Sequence, residues 1–519
     1  MTKSKQAVLS YRMEGEPTRA DLTGLCGLAP YLDLVCASGV MGSIEKNVRA
    51  AGEQGWNDTQ AILSLVLLNL AGGECVDDLE HLEADKGFVR LVRWCESHTL
   101  TRRVRREMKN RWRQGRSRTI VSPTSARRYL VKFHDSDQEM LRVAGKAFIP
   151  KANESLLGLR KANAEFVGWV QRTSKQIGGA GSATVVATLD MDASLIETTK
   201  AEAFFCYKHY RAYQPMQVYW AEQGMMLHSE FRDGNVPAGY EQKRVLAEAL
   251  SYLPDGVKIV RVRSDTAGYQ HELLKYCEMG QNKQFGRIEF TISCDVTPEF
   301  KRAVEEVAEE DWHPLYRELN GKMIKTGREW AEVCFVPNPI AFGSKAPVYR
   351  YLATREALAS QPLPGIEESQ MSLPFQTIFR DGVIYKVFGV VTNMDWEGGS
   401  LIRFHDGRCG KCEEAHKILK EDFAGRVMPS GEFGANAAWW AIAVLAMNIA
   451  VAMQRIVLGG EWAGRRMKAI RFLIMNVPGR VVAKARQLIL RVSRDHPSLE
   501  LLLRARERIR ELSICAPTS

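Results

Sequence analysis

The sequence has no internal repeat, no cysteine pattern of a disulfide framework and no uninterrupted apolar run long enough to cross a bilayer. The first absence sets aside solenoids and propellers, whose stacking units recur at a fixed period. Eleven cysteines are scattered along 519 residues, and reduced thiols in a cytoplasm are the simpler reading of such spacing. Residues Met1 to Gln6 lack the apolar core of a signal peptide, which agrees with a cytoplasmic expectation. Ala437 to Met453 is apolar except for Asn448, but it is short for a membrane span and basic amphipathic segments follow it. A buried helix is expected there.

What is present is core and charge. An apolar fraction of 45% is that of a soluble globular protein, and the length exceeds one ordinary domain. The net charge of +10 is concentrated in two places. Thr101 to Leu130 carries eleven basic residues against one acidic, and Pro429 to Ser519 carries fourteen against six, which leaves the remainder near −8. A protein that neutralises several phosphates needs such a local surplus, and its affinity falls steeply with salt. Arg102, Arg103, Arg105, Arg106, Lys109, Arg111 and Arg113 go nearly all round a helix, with Trp112 among them. So dense a cluster of one sign repels itself without a polyanion.

The most informative feature is acidic. In Thr184 to Asp192 a β-branched run reads as a buried strand, and a period of two puts Asp190 and Asp192 on one face near its end. Val257 to Arg263 reads as a second strand, with Asp265 where it gives way to Ala267-Gly268 and a new helix. Carboxyl ends of strands are where open α/β sheets place their chemistry. Much later, Cys412 to Phe423 reads as a helix with a partial apolar stripe, on which Glu413, Lys417 and Lys420 fall near one another. Alone, an Asp at a strand end is more often a turn or cap residue, and a Glu and a Lys on one helix are more often a solvated face. Their order along the chain raises the joint reading, a carboxylate triad for divalent metal. Hard cations want oxygen ligands, and a metal pair needs carboxylates from separate elements meeting at one point. A nuclease-like phosphoryl transferase is therefore expected. His405-x3-Cys409-x2-Cys412-x3-His416 also has zinc-ligand types, but with a lone Cys-x2-Cys, and a structural zinc there would compete with Glu413 for space.

These motifs resemble those of DDE transposases of bacterial insertion sequences, in the group with a tyrosine, arginine, glutamate, lysine signature and a large β-rich insertion before it. Asp192-Ala193-Ser194 resembles that family's first Asp followed by a small residue and Ser or Thr. Arg263 to Tyr269 resembles its second motif, with Asp265, and Glu413 with Lys420 fits the glutamate and lysine spacing. Ala71-Gly72-Gly73, Asp77 to Glu80 and the segment Val390 to Asn393 also fit, so the resemblance covers most of the chain. It departs at the tyrosine and arginine positions. Counted back from Glu413 these hold Asp406 and Cys409, with His405 and Arg408 each one residue further away.

The resemblance implies an α/β core, a ribonuclease H-like mixed sheet interrupted by a β-rich insertion and flanked by helical N- and C-terminal regions. It implies that Asp192, Asp265 and Glu413 hold two Mg²⁺ (or Mn²⁺) ions with Asp190 beside them. Lys420 would contact DNA phosphate near the scissile bond, with Arg408 and Lys417 as further DNA contacts. The partners implied are double-stranded DNA, as element ends and target, and a second copy in a homodimeric synaptic complex. Expected boundaries are a helical DNA-binding region (1–135), a helical connector (136–183), the first part of the core (184–296), the insertion (297–396), the second part of the core (397–453) and a basic helical C-terminal region (454–519). Trp312, Trp330 and Trp396 fall in the insertion, where an aromatic can stack on a flipped base, although core packing is the commoner fate of each. Two other readings stay open: a DNA-binding descendant that has lost its chemistry, and a ribonuclease H-like nuclease that cuts but never joins.

Overall fold

The computed structural model describes residues 21–53, 55–98, 101, 103–106, 118–176, 186–319, 321–337, 349–358, 376–484 and 487–515. Helices dominate the N-terminal part. Helix α1 (Asp58–Ala71) starts at Asn57, whose side chain accepts from Gln60 N, and ends at Gly72 with φ +94°. It is buried on nearly every face, as an apolar run without a polar stripe must be. Helix α2 (Glu154–Gln176) leads toward the sheet.

The sheet begins with β1 (Val186–Ala193), β2 (Met216–Trp220) and β3 (Met225–Glu230), an antiparallel meander. The β2–β3 turn is made possible by Gly224, with φ +67°. Helix α3 (Gln242–Leu250) crosses over to β4 (Ile259–Ser264), which lies parallel to β1. Helix α4 (His271–Glu278) then crosses to β5 (Glu289–Cys294), parallel to β4. The order β3-β2-β1-β4-β5, antiparallel on one side and parallel on the other, is the ribonuclease H-like arrangement.

The insertion does not form a sheet of its own. Its strands are β6 (His313–Leu319), β7 (Lys322–Val333), β8 (Arg350–Ala357), β9 (Thr377–Arg380) and β10 (Val383–Thr392). Strand β10 pairs antiparallel with β5, and the order runs on through β8 and β7 to β6, giving one ten-stranded sheet. Helices α5 (Gly398–Asp406) and α6 (Lys411–Asp422) follow. Helix α7 (Phe433–Ala452) runs through the core against α1, α2 and β3. In the C-terminal region a hairpin of β11 (Gly479–Lys484) and β12 (Gln487–Val492) accompanies the helices, pairs with Leu22–Thr23 and precedes α8 (Leu499–Cys515).

Phe433–Leu458 is long and apolar enough to span a membrane, yet 72% of its apolar window is buried inside the protein. Asn448, the polar interruption of Ala437 to Met453, has a local purpose. Asn448 Oδ1 accepts from Met226 N at 2.9 Å, and its Nδ2 donates to Met226 O at 2.8 Å and Asn163 Oδ1 at 2.7 Å. The amide thus satisfies the backbone of edge strand β3 as a neighbouring strand would.

Candidate active site

Parallel pairing of β1 and β4 sets Met191 opposite Ser264. One residue further, Asp192 and Asp265 stand side by side at the carboxyl ends of neighbouring strands. Asp265 caps the short turn Thr266–Gly268, accepting from Ala267 N at 3.0 Å through Oδ1. Asp192 Oδ1 accepts from Ala193 N at 2.9 Å. Burial, and then the negative charges of Asp265 and Glu413, push the Asp192 carboxyl up to about 6, against the pull of Arg408 and the Ala193 N–H. Glu413 lies exposed in the first turn of α6, and its charge reaches Asp192. Asp192 thus lies within the field of both other carboxylates.

Asp190 does not join them, although the two-residue spacing places it on the same face of β1. It is fully buried, and both its oxygens are taken by Arg263, whose Nε and Nη2 donate at 2.6 and 2.8 Å. The same guanidinium donates from Nη1 to Phe404 O at 2.6 Å. Through Arg263, Asp190 is thus linked to Phe404 of α5, and this contact ties the helix and the loop that follows to the sheet.

That loop carries Arg408. Its charge acts on Asp192, Asp190, Cys412 and His416, and its Nε is buried with no partner among the described residues. His405 and Asp406 are occupied elsewhere. His405 meets Ser293 Oγ at 3.0 Å and Thr291 Oγ1 at 3.1 Å, and burial holds it neutral, down to about 3. Asp406 accepts from Arg328 Nη1 at 2.7 Å. Lys420, two turns beyond Glu413, donates from Nζ to Ser194 Oγ at 2.8 Å. Burial lowers its pKa, with Glu421 and Asp192 opposing. Lys417 is exposed.

Two residues that sequence reasoning set aside for zinc turn out to face the first carboxylate. Cys412 Sγ lies 3.3 Å from His416 Nε2, and His416 Nδ1 lies 3.8 Å from Asp192 Oδ2. Burial, first, and the charges of Asp192 and Asp190 keep the Cys412 thiol protonated, and burial holds His416 neutral, down to about 3. The four-residue zinc set is not assembled: His405 is bonded to β5, Cys409 is exposed, and the ligand atoms that gather within 4.8 Å belong to Asp192, Cys412 and His416.

Of the basic cluster, Arg103, Arg105 and Arg106 are exposed, with Arg105 Nε donating to Ser97 O at 3.1 Å. Arg102, Lys109, Arg111 and Arg113 lie outside the described residues. The three tryptophans are all packed. Trp312 is buried under the Arg355 guanidinium, 4.2 Å from the ring centroid. Trp330 is half-buried against Gly398, where any Cβ would meet its ring at 2.1 Å. Trp396 lies between Phe404 and Arg261.

The family that this sequence matches gives the class, a polynucleotidyl-transferase-type enzyme. The sequence matches the family described as "Transposase DDE domain group 1" over residues 46–334 and 380–514, and the chain belongs to that family. None of the curated proteins matches it. Among solved structures it is similar to the cryo-EM structure of the piggyBac transposase synaptic complex with hairpin DNA, at 11% identity and a TM-score of 0.39, with 95% of this chain and 82% of that chain covered.

Proposed function

We propose that this protein is the cut-and-paste transposase of a bacterial insertion sequence, cleaving the double-stranded ends of its element and joining them to target DNA. The observation that carries this is the juxtaposition of Asp192 with Asp265, under the charge of Glu413. An all-oxygen donor set of this kind fits Mg²⁺ or Mn²⁺. Two such ions held by Asp192, Asp265 and Glu413 would stabilise the attacking and leaving oxygens of an in-line displacement.

The remaining work falls to side chains of this chain. Arg408 grips a phosphate beside the carboxylates, the part played by the arginine of the Tyr-Arg-Glu-Lys signature. Its buried, unpartnered Nε supports this, because such a donor costs stability unless a ligand takes it up. His405 stands nearest the signature's tyrosine, but both its nitrogens are engaged with β5, so it holds the loop and leaves DNA to Arg408. Lys420 neutralises charge near the scissile phosphate, poised by Ser194. The cluster Arg102 to Arg113, with Lys417, holds the duplex, and a homodimer brings two ends together.

The test is strand cleavage of DNA carrying the element's ends, with Mg²⁺, comparing the natural protein with Glu413→Gln. Cleavage lost in the variant while gel-shift binding persists supports the reading. Binding without cleavage in either protein would identify a DNA-binding descendant, and cutting without joining would identify a nuclease.

A further inference from the structure

We infer that Asp192, Cys412 and His416 form a second kind of metal site, one for a borderline-soft tetrahedral cation of the Zn²⁺ class, and that its occupation switches the enzyme off. The inference rests on the reading of Asp192 as a catalytic ligand. Cys412 and His416 are four residues apart on α6, so they share one face of the helix, and both are buried on the side that meets the end of β1. One ligand atom from each of them and one from Asp192 lie within 4.8 Å of one another. A thiolate, an imidazole and a carboxylate suit zinc and do not suit Mg²⁺, which requires oxygen in near-octahedral order.

A second observation points to a ligand at this place. Gln217 is the antiparallel partner of Asp192, which puts both side chains on one face of the sheet. Gln217 is fully buried, and both its Oε1 and its Nε2 lack a hydrogen-bond partner among the described residues. An amide left so exposes a donor and an acceptor to whatever enters, either as a fourth ligand or as the partner of a metal-bound water.

Binding forms a metal–sulfur bond and releases the Cys412 thiol proton to solvent, with no electron transferred. Asp192 Oδ2, the oxygen nearest His416, is then committed to the soft cation and withdrawn from the set with Asp265 and Glu413. Zinc thereby opposes Mg²⁺ through one shared carboxylate.

The experiment uses Co²⁺ and Zn²⁺ as probes on the full chain without DNA. Co²⁺ should produce a thiolate-to-metal charge-transfer band with tetrahedral d–d bands, displaced by stoichiometric Zn²⁺ but not by excess Mg²⁺. The band should vanish in Cys412→Ala and persist in Cys409→Ala. Should Cys412→Ala not fold, as judged by circular dichroism, Asp192→Asn is read instead, with Co²⁺ affinity expected to fall at least about tenfold. In Mg²⁺-driven cleavage, the Zn²⁺ concentration for half-inhibition should rise at least about tenfold in Cys412→Ala. No charge-transfer band in the natural protein, the same band in Cys412→Ala, or equal inhibition of both proteins overturns the inference. A protein that never cleaves with Mg²⁺ removes the transposase reading, while the Co²⁺ spectra still decide the metal site.

Discussion

Lys420 Nζ donates to Ser194 Oγ at 2.8 Å, and this contact ties the helix carrying Glu413 to the strand end carrying Asp192. The ammonium is half-buried and within the field of Asp192, a position from which it can meet a phosphate without reorganising. In Lys420→Met, single-turnover cleavage of element ends should fall about 10²-fold, with end binding changed only a few-fold. Ser194→Ala, which loosens the ammonium and leaves its charge, should cost less than tenfold. Equal losses of binding and cleavage in Lys420→Met would make this lysine an anchor for DNA and remove it from the chemistry.

Asp190 and Asp192 stand two residues apart and should fail in opposite ways. Asp190→Ala strands the Arg263 guanidinium in the interior, and breaking a buried pair from one side costs about 3–5 kcal/mol. Urea denaturation should register that loss. Asp192→Ala should melt no lower than the natural protein and should bind ends, but cleave none. A stable, inactive Asp190→Ala would return Asp190 to the catalytic set.

Much of this was legible in the chain, for reasons that individual residues make plain. The β-branched run into Asp192 reads as a strand because it is buried on both faces, and the stretch ending at Asp265 reads as one because Val260 and Val262 alternate with Arg261 and Arg263. Strand β7 was less legible, because it begins at Lys322 with a run of exposed residues, Met323 and Ile324 among them, in which no alternation of buried and exposed positions marks a strand. Period two put Asp190 beside Asp192, but nothing local says that Arg263 on the next strand claims it. Cys412 and His416 were visible as metal-ligand types at helical spacing. Their partner Asp192 is more than two hundred residues away, and only the packing of α6 on the end of β1 brings them together. Gln217 gave no signal at all, since its significance lies in its register with Asp192 and in the partners it lacks.

The Asp192 carboxyl, pushed up to about 6 from an ordinary value of 3.8, gives metal-free stability a pH dependence of definite sign. Between those values the folded protein holds a proton that the unfolded chain has lost, so stability declines as pH rises and the full penalty is present above about 6. Asp192→Asn removes the penalty and should stabilise the metal-free protein at pH 7.5 by about 1–3 kcal/mol, with little effect at pH 4. Thermal melts at the two pH values check it. A variant less stable than the natural protein at pH 7.5 would mean that burial and the charges of Asp265 and Glu413 do not penalise the Asp192 carboxylate.

Arg408 should report itself through salt. If its guanidinium takes one phosphate, Arg408→Ala should lower the slope of log affinity against log salt by about one. Cleavage should fall further than binding, because the phosphate concerned is the one beside the carboxylates. Arg408→Lys should restore the salt slope but not the cleavage, since an ammonium cannot reproduce the planar fork. An unchanged slope in Arg408→Ala would place the arginine in the structural network with Asp190.

Asn448 separates a core helix from a membrane helix. In a bilayer, replacing the only polar residue of Ala437 to Met453 with leucine would strengthen a span. Here the amide is the partner of Met226 N and O and of Asn163, all buried beside edge strand β3. Asn448→Leu leaves Met226 N and Asn163 Oδ1 without these partners at the centre of the protein, while Met226 O keeps Asn163 Nδ2 at 3.0 Å, so a more apolar helix should give a less stable fold, by about 2–4 kcal/mol. Asn163→Leu together with Asn448→Leu should recover little, because Met226 N stays without Asn448 Oδ1 in both and the second change also removes the Asn163 donor to Met226 O. Urea denaturation of the two variants, with recovery from soluble and membrane fractions measured in parallel, tests the point. A variant that gains stability or moves to the membrane fraction would overturn the reading of this segment as core.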